Sequence, residues 1–253
     1  MTFTIITATY NSEKTIARSL DSLLNQTLLD FEYIIIDGNS KDGTLNILKS
    51  YESKFKEKGL TFAWFSEPDS GIYDAWNKGL KYAKGDWISF LGSDDYYLND
   101  ALENYFKLLS ISDKPLDWIY SNVLFVKGEN NKRLLNSVWS WKDFRRNIKI
   151  TPAHVGSFHN KLFFKTYGVY DTTYKIAGDY EILLRPKSHL KTAKIEITTA
   201  IMDGGGVSNN MIKKVFGETL RAKRETGGVS LFLCYFDYYM SLLKFKIKSI
   251  LNR

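Results

Sequence analysis

The amino-acid sequence predicts an α/β protein: a mostly parallel sheet with helices on both faces, a mixed second half and a helical C-terminal appendage. Three observations carry this prediction. Short apolar strand runs recur four times before residue 98, helical stretches separate them, and polar or acidic residues stand just past the apolar end of each run.

"FTII" opens the chain as a buried strand. "NSEKTIARSLDSLL" follows as a helix with Ile16, Leu20, Leu23 and Leu24 inward and Asn11 or Ser12 as its N-cap. "EYIII", the turn "DGNSKDG" and a helix through Leu45, Leu48 and Phe55 repeat the unit, with Asp42 and Ser40 placed to cap the helix that starts at Thr44. "LTFAWFSE" is a third strand, "GIYDAWNKGLKYA" a helix through Ile72, Ala75, Trp76, Gly79 and Leu80, and "DWISFL" a fourth strand. Such alternation gives a parallel sheet, and ligands of these sheets bind beyond the carboxyl ends of the strands. That rim collects the segment Thr7 to Asn11, Asp37, Glu67 and the pair Asp94 and Asp95.

Beyond a helix at about 99–110 the pattern changes. "DWIYSNVLFV" and "KRLLNSV" read as an antiparallel hairpin, "NKLFFKTYG" and "DYEILLR" as helices, "AKIEITTAIM" as a strand, and two helical stretches end the chain. No repeat or Pro/Ser-rich linker interrupts it. The expected organisation is one domain over 1–210, in halves of about 1–98 and 99–210, and a basic extension over 211–253.

With 253 residues, 44% of them apolar, the chain can build a sizeable core. Its one cysteine, Cys234, allows no intrachain disulfide, and "MTFTIITATYNS" has no signal-peptide pattern, so a reducing cytoplasm is the expected compartment. "LFLCYF" is too short to span a bilayer. Residues 211–253 hold nine Lys/Arg and three Asp/Glu, so six of the seven excess positive charges lie in the tail. A nucleic-acid groove would need a basic face on the main domain, so no nucleic-acid partner is expected.

Several chemistries lack their residues. "TATYNSEK" stands where a dinucleotide fold would carry G-x-G-x-x-G, no Walker loop or G-x-S-x-G elbow occurs, and three histidines with one cysteine make no zinc set. The acidic set Asp37, Asp69, Asp94, Asp95 and Asp179 remains. Adjacent carboxylates repel, so Asp94 and Asp95 call for a cation. Oxygen ligands of this kind suit Mg²⁺ or Mn²⁺, completed by water and substrate phosphate. The competing reading is a pair of ordinary turn residues.

Four stretches in this order, "IITATYN", "YIIIDGNSKDGT", "EPDSGIYDAWNKGLKYAKGDWISFLGSDD" and "IAGDYEILLR", resemble the family 2 glycosyltransferases, which have the GT-A fold; the likeness covers about residues 1–208. It implies that Thr7, Ala8, Thr9, Asn11 and Asp37 hold the nucleoside of a sugar nucleotide, expected to be a UDP-sugar. Asp69 and Lys78 would lie in the donor-binding region, Lys78 being equally readable as a solvated helix lysine. Ser93, Asp94 and Asp95 would form a variant D-x-D motif. In it Asp95 binds Mn²⁺ or Mg²⁺ and Asp94 touches ribose or sugar. Asp179 matches the base position of an inverting transfer, with Glu181 as fallback; by itself it reads first as the N-cap of a helix from Tyr180 to Arg185, and the other motifs turn the reading to the base.

The chain departs from the family's pattern twice: Ala8 stands where many members have proline, and Gly178 where an acidic residue often precedes the base. "DGGGVSNN" resembles a flexible lid and reads equally as a loop. "TPAHVGSFHNKLFF" occupies the acceptor-shaping stretch, where His154 and His159 contact the acceptor or are structural. The tail, with aromatics beside Lys244, Lys246, Lys248 and Arg253, suits an anionic membrane surface or packing on the core or a second subunit, as in a homodimer. The resulting expectation is transfer to a hydroxyl of a glycan or lipid-linked acceptor at the inner face of the membrane. The alternative is a peripheral membrane module that binds the nucleotide without catalysis.

Overall fold

A computed structural model describes residues 1–129, 131–147, 152–205 and 212–251. The first half is the expected run of βα units. Strands β1 (Phe3–Thr9), β2 (Phe31–Asp37), β3 (Thr61–Ser66) and β4 (Trp87–Phe90) alternate with helices α1 (Ile16–Leu24), α2 (Thr44–Glu57) and α3 (Ile72–Tyr82). All four strands run parallel, in the order β3-β2-β1-β4. Strands covered on both faces read as continuous apolar runs, and β2 is buried at every position.

The second half closes the sheet with mixed pairing. After β5 (Tyr96–Tyr97) and α4 (Ala101–Ser110) come β6 (Trp118–Lys127), β7 (Asn131–Leu135), the short α5 (Trp141–Phe144), β8 (Ser157–Asn160), α6 (Lys161–Tyr167), α7 (Gly178–Leu184) and β9 (Thr192–Asp203). β8 lies antiparallel between β4 and β6, and β9 pairs parallel to β6 and antiparallel to β5. The β6–β7 hairpin forms as expected. β5, β8 and α5 carry too little periodicity to announce themselves in the sequence.

The period of two along the strands sorts their side chains into two cores. Ile5, Tyr33 and Ile35 meet Leu20 and Leu23 of α1, Leu48 and Phe55 of α2 and Tyr105 of α4. Ile6, Ile34, Ile36 and Phe90 meet Tyr73 and Trp76 of α3, Phe163 of α6 and Ile182 and Leu184 of α7. Fully burying such a side chain contributes about 1.5–3 kcal/mol.

Helices α8 (Ile212–Glu225) and α9 (Leu231–Leu251) complete the chain. Ala222 of α8 is fully buried in the second core, so the first tail helix packs on the body.

Three capping expectations are corrected. α1 begins at Ile16 with Thr15 in the cap position, and neither Asn11 nor Ser12 caps it through a side chain. The Asn11 side chain turns to Lys41 in the loop after β2, and the Ser12 hydroxyl turns to Ser93 after β4. α7 begins at Gly178 with Ala177 in the cap position, so Asp179 lies within the first turn and is not the cap. α2 begins at Thr44 with Gly43 in the cap position and no side-chain cap, so neither Asp42 nor Ser40 is its cap: Asp42, one residue earlier, accepts at Oδ1 from the Thr44 N–H at 3.0 Å, and Ser40 turns to Asp37. In "DGGGVSNN", residues 206–210 lie outside the described residues.

Candidate active site

Register aligns the rim. Thr9 stands opposite Asp37 and Asp37 opposite Ser66, so three strand ends finish level. Asp37 is fully buried, and its carboxylate accepts from the Ser40 N–H at 3.0 Å, from the Ser40 hydroxyl and from the Ser66 hydroxyl at 2.7 Å. These donors compensate the desolvation of the buried carboxylate. Ser40 was expected only as a helix cap and Ser66 not at all, because a hydroxyl in a strand end or turn does not announce its partner.

Asn11 adopts a left-handed backbone, φ 50°. Its amide carbonyl accepts from the Lys41 N–H at 2.8 Å and its N–H donates to the Ser40 hydroxyl at 2.8 Å, stitching the loop after β1 to the loop after β2. The Thr7 hydroxyl lies deeper, fully buried, accepting from Tyr33 at 3.0 Å, so this predicted substrate contact is directed into the core. Thr9 is buried, its hydroxyl without a hydrogen-bond partner among the described residues, and Ala8 is half-buried between them.

Asp69 folds over Gly38: a Cβ on Gly38 would lie 2.7 Å from Asp69 Oδ2, so only glycine leaves that carboxylate room beside Asp37. Asp69 also accepts from the Gly71 N–H at 2.8 Å at the entry to α3. Lys78 donates to the Pro68 carbonyl at 2.7 Å and pairs with Glu67 at 3.0 Å. It therefore braces the loop that holds Asp69. Partial burial would lower its pKa, but Glu67 and Asp74 outweigh that and raise it.

The turn after β4 carries the paired carboxylates. Ser93 Oγ lies 2.9 Å from Ser12 Oγ, joining this turn to the loop after β1. Asp94 and Asp95 both lie over Gly92, where a Cβ would come within 2.9 Å of Asp94 Oδ1 and closer still to Asp95 Oδ2. Burial raises the Asp94 carboxyl, and the negative charge of Asp203 adds to it. Burial, then Asp94, pushes Asp95 up to about 7, although its Oδ1 accepts from the Asp203 N–H at 2.8 Å. Arg18 donates to the Asp94 carbonyl, bonds Asp203 Oδ2 at 3.1 Å and lies over the Tyr96 ring, partly offsetting these charges. Neither Arg18 nor Asp203 was among the candidates, since each belongs to an element distant in sequence.

This donor set fits a divalent cation: two converging carboxylates, each made harder to ionise by burial and like charge, and relieved by a positive ion. Among the described residues no group of three or more His, Cys, Asp or Glu side chains forms a complete cage. An ion that keeps water and substrate phosphate as ligands needs none.

Asp179 is half-buried and accepts at Oδ1 from the Tyr180 N–H at 2.9 Å. The Tyr73 hydroxyl sits between it, at 3.3 Å, and the Ile176 carbonyl, at 2.6 Å. The Tyr73 ring also explains Gly178, because a Cβ there would meet it at 2.8 Å and an acidic side chain has no room. Lys175 donates to the Ser70 carbonyl at 2.7 Å, so the segment leading to Asp179 abuts the Asp69 loop. From α8, Glu218 accepts the N–H groups of Lys175, Ile176 and Ala177 at 2.8–3.1 Å. Glu181, the fallback base, is buried and paired with Arg185 at 2.6 Å and with Thr226, which leaves it no free lone pair for that role.

His154 and His159 do not form a polar pair. His154 stacks on Trp76 at 4.9 Å, and His159 is fully buried among Phe90, Phe163 and Phe164. The structural reading is the one His159 follows. An open groove of about 700 Å³ runs along β3 past Glu52 and Lys56 and contains none of these residues.

A parallel sheet with paired carboxylates at its carboxyl rim, closed by a second half of mixed pairing, has the GT-A architecture. The chain belongs to glycosyl transferase family 2, whose model matches residues 4–167, and is a glycosyltransferase. It is 30% identical over 235 residues to a PGL/p-HBAD biosynthesis glycosyltransferase of Mycobacterium bovis, covering 89% of this chain and 86% of that protein. Its fold is similar to S. aureus TarS 1-349 in complex with UDP, with a TM-score of 0.66 and 21% identity, covering 92% of this chain and 68% of that one. The mannosyltransferase PcManGT of Pyrobaculum calidifontis, in complex with GDP-Man and Mn²⁺, superposes with a TM-score of 0.65 at 16% identity, over 96% of this chain and 74% of that one. Among the described residues no helix is long and apolar enough to cross a membrane.

Proposed function

We propose that this protein is an inverting, divalent-cation-dependent glycosyltransferase that moves a sugar from a UDP-sugar to a hydroxyl of a glycan or lipid-linked acceptor. The observation that carries the reading is the gathering of Asp94 and Asp95 over Gly92, tied through Ser93 and Ser12 to the loop that faces Asp37. The UDP and GDP-Man complexes of proteins with this fold, the second also with Mn²⁺, support a nucleotide-sugar donor and a metal.

In this reading Asp37, Asn11, Thr9, Ala8 and Thr7 line the nucleoside end, Thr7 by its backbone. Asp69 and Lys78 border the donor, and Ser93 and Asp94 face ribose or sugar. Asp95 holds Mn²⁺ or Mg²⁺, which when bound supplies Lewis-acid stabilisation of the diphosphate leaving group. Asp179 takes the proton from the acceptor hydroxyl as its oxygen attacks the anomeric carbon from the face opposite the leaving group. Tyr73 and the Tyr180 N–H hold that carboxylate in place. Residues 1–210 form the transferase body. The extension over 211–253 places it at the inner, cytoplasmic face of the cell membrane, where a lipid-linked acceptor is presented.

Asp179→Asn tests the assignment. It should leave UDP and Mn²⁺ binding by calorimetry unchanged and lower transfer by about 100-fold or more. A screen of donor hydrolysis across sugar nucleotides, with and without Mn²⁺, identifies the donor. Nucleotide binding by the wild type with no transfer or hydrolysis of any sugar nucleotide would make it a non-catalytic module instead.

A further inference from the structure

Helix α9 turns its polar side inward and its apolar side out. Asp237, only 9% exposed, faces the body and pairs with Arg146 at 2.7 Å and Lys223 at 3.5 Å, beside a fully buried Cys234. On the opposite side Phe232, Tyr235, Phe236, Tyr239, Leu243 and Ile247 are between 48% and 77% exposed. Their spacing makes one continuous helical stripe, about 22 Å long at 1.5 Å per residue. An apolar stripe of this extent on a soluble surface marks an interaction site.

Charge selects the occupant. After Asp237 the sequence carries Lys244, Lys246, Lys248 and Arg253 and no acidic residue, and Asp237 itself is already paired. A second copy would add like charge to like, whereas an anionic lipid surface complements both the net positive charge of this segment and the aromatic stripe. We infer that the outward face of α9 is a docking surface for an anionic bilayer, with the helix lying in the plane of the interface. This deepens the membrane part of the function proposed above and is independent of the transfer chemistry.

The full chain is to be sedimented with phosphatidylcholine vesicles, with and without phosphatidylglycerol, and sized by light scattering. Binding should be at least about tenfold stronger with phosphatidylglycerol and weaken with salt. The double substitution Phe232→Ser and Phe236→Ser, at exposed positions, should lower it about tenfold while melting temperature and donor hydrolysis stay unchanged. Lys244→Glu should weaken binding to the anionic vesicles only. Absence of vesicle binding, equal binding by wild type and double variant, or a dimer that the double variant dissociates would each overturn the inference. Failure of donor hydrolysis in the wild type would instead count against the transferase reading and leave this one standing.

Discussion

Asp95 shows what the proposed metal ligand costs the fold. Burial and the neighbouring Asp94 raise it to about 7, so its charge opposes folding unless a cation is present. Asp95→Asn keeps the size and hydrogen-bonding capacity and removes that charge. Without divalent ions the variant should melt at or above the wild-type temperature, and Mn²⁺ should raise the melting temperature of the wild type but not of the variant, as read by calorimetry. A wild type whose melting ignores Mn²⁺ would argue against the metal role. At this same scale Gly178 has a simple cause: the Tyr73 ring that steadies Asp179 fills the space a side chain would need. The two residues are far apart in sequence, so no local pattern could reveal the reason.

At the scale of elements, α7 lacks a side-chain cap of its own, and α8 supplies the acceptor. The Glu218 carboxylate holds three successive N–H groups of the turn before Asp179 and so couples the C-terminal extension to the proposed base. Glu218→Ala should cost about 1–2 kcal/mol in urea unfolding, the range for a lost helix cap. It should also lower kcat several-fold with the donor KM unchanged, and Glu218→Gln should restore part of the loss, since a role in folding alone would leave kcat intact. The extension was read from composition as an appendage. The packing of α8 was not legible because its anchors, Glu218 and Ala222, look like an ordinary charged residue and an ordinary small one until α7 is beside them.

Across the whole molecule, the seam between sheet and α6 carries a pH dependence. Burial holds the imidazoles of His154 and His159 below their ordinary value, His159 well below, with the nearby His154 adding to the effect on His159. The unfolded chain takes up protons at about pH 6.5 while the native protein does not. Their contribution to stability is therefore complete above about 6.5 and is lost as the pH falls below it. His159 is packed against aromatic rings, so phenylalanine is the apolar ring that removes the titration. His159→Phe should flatten the decline in stability between about pH 7 and pH 5, measured as the difference between wild-type and variant unfolding curves. Equal slopes would place the titrating group elsewhere.

The sequence by itself determined the alternation of strands and helices, and with it the level rim on which Asp37, Asp69, Asp94 and Asp95 stand, because apolar periodicity and the rules of parallel pairing are local and general. Only the tertiary structure decided which polar groups pair across that rim: Ser66 with Asp37, Arg18 between Asp94 and Asp203, Tyr73 against Asp179, Glu218 beneath it. Such contacts join positions far apart in the chain, and their energy depends on distance and burial, which exist only once the sheet has closed.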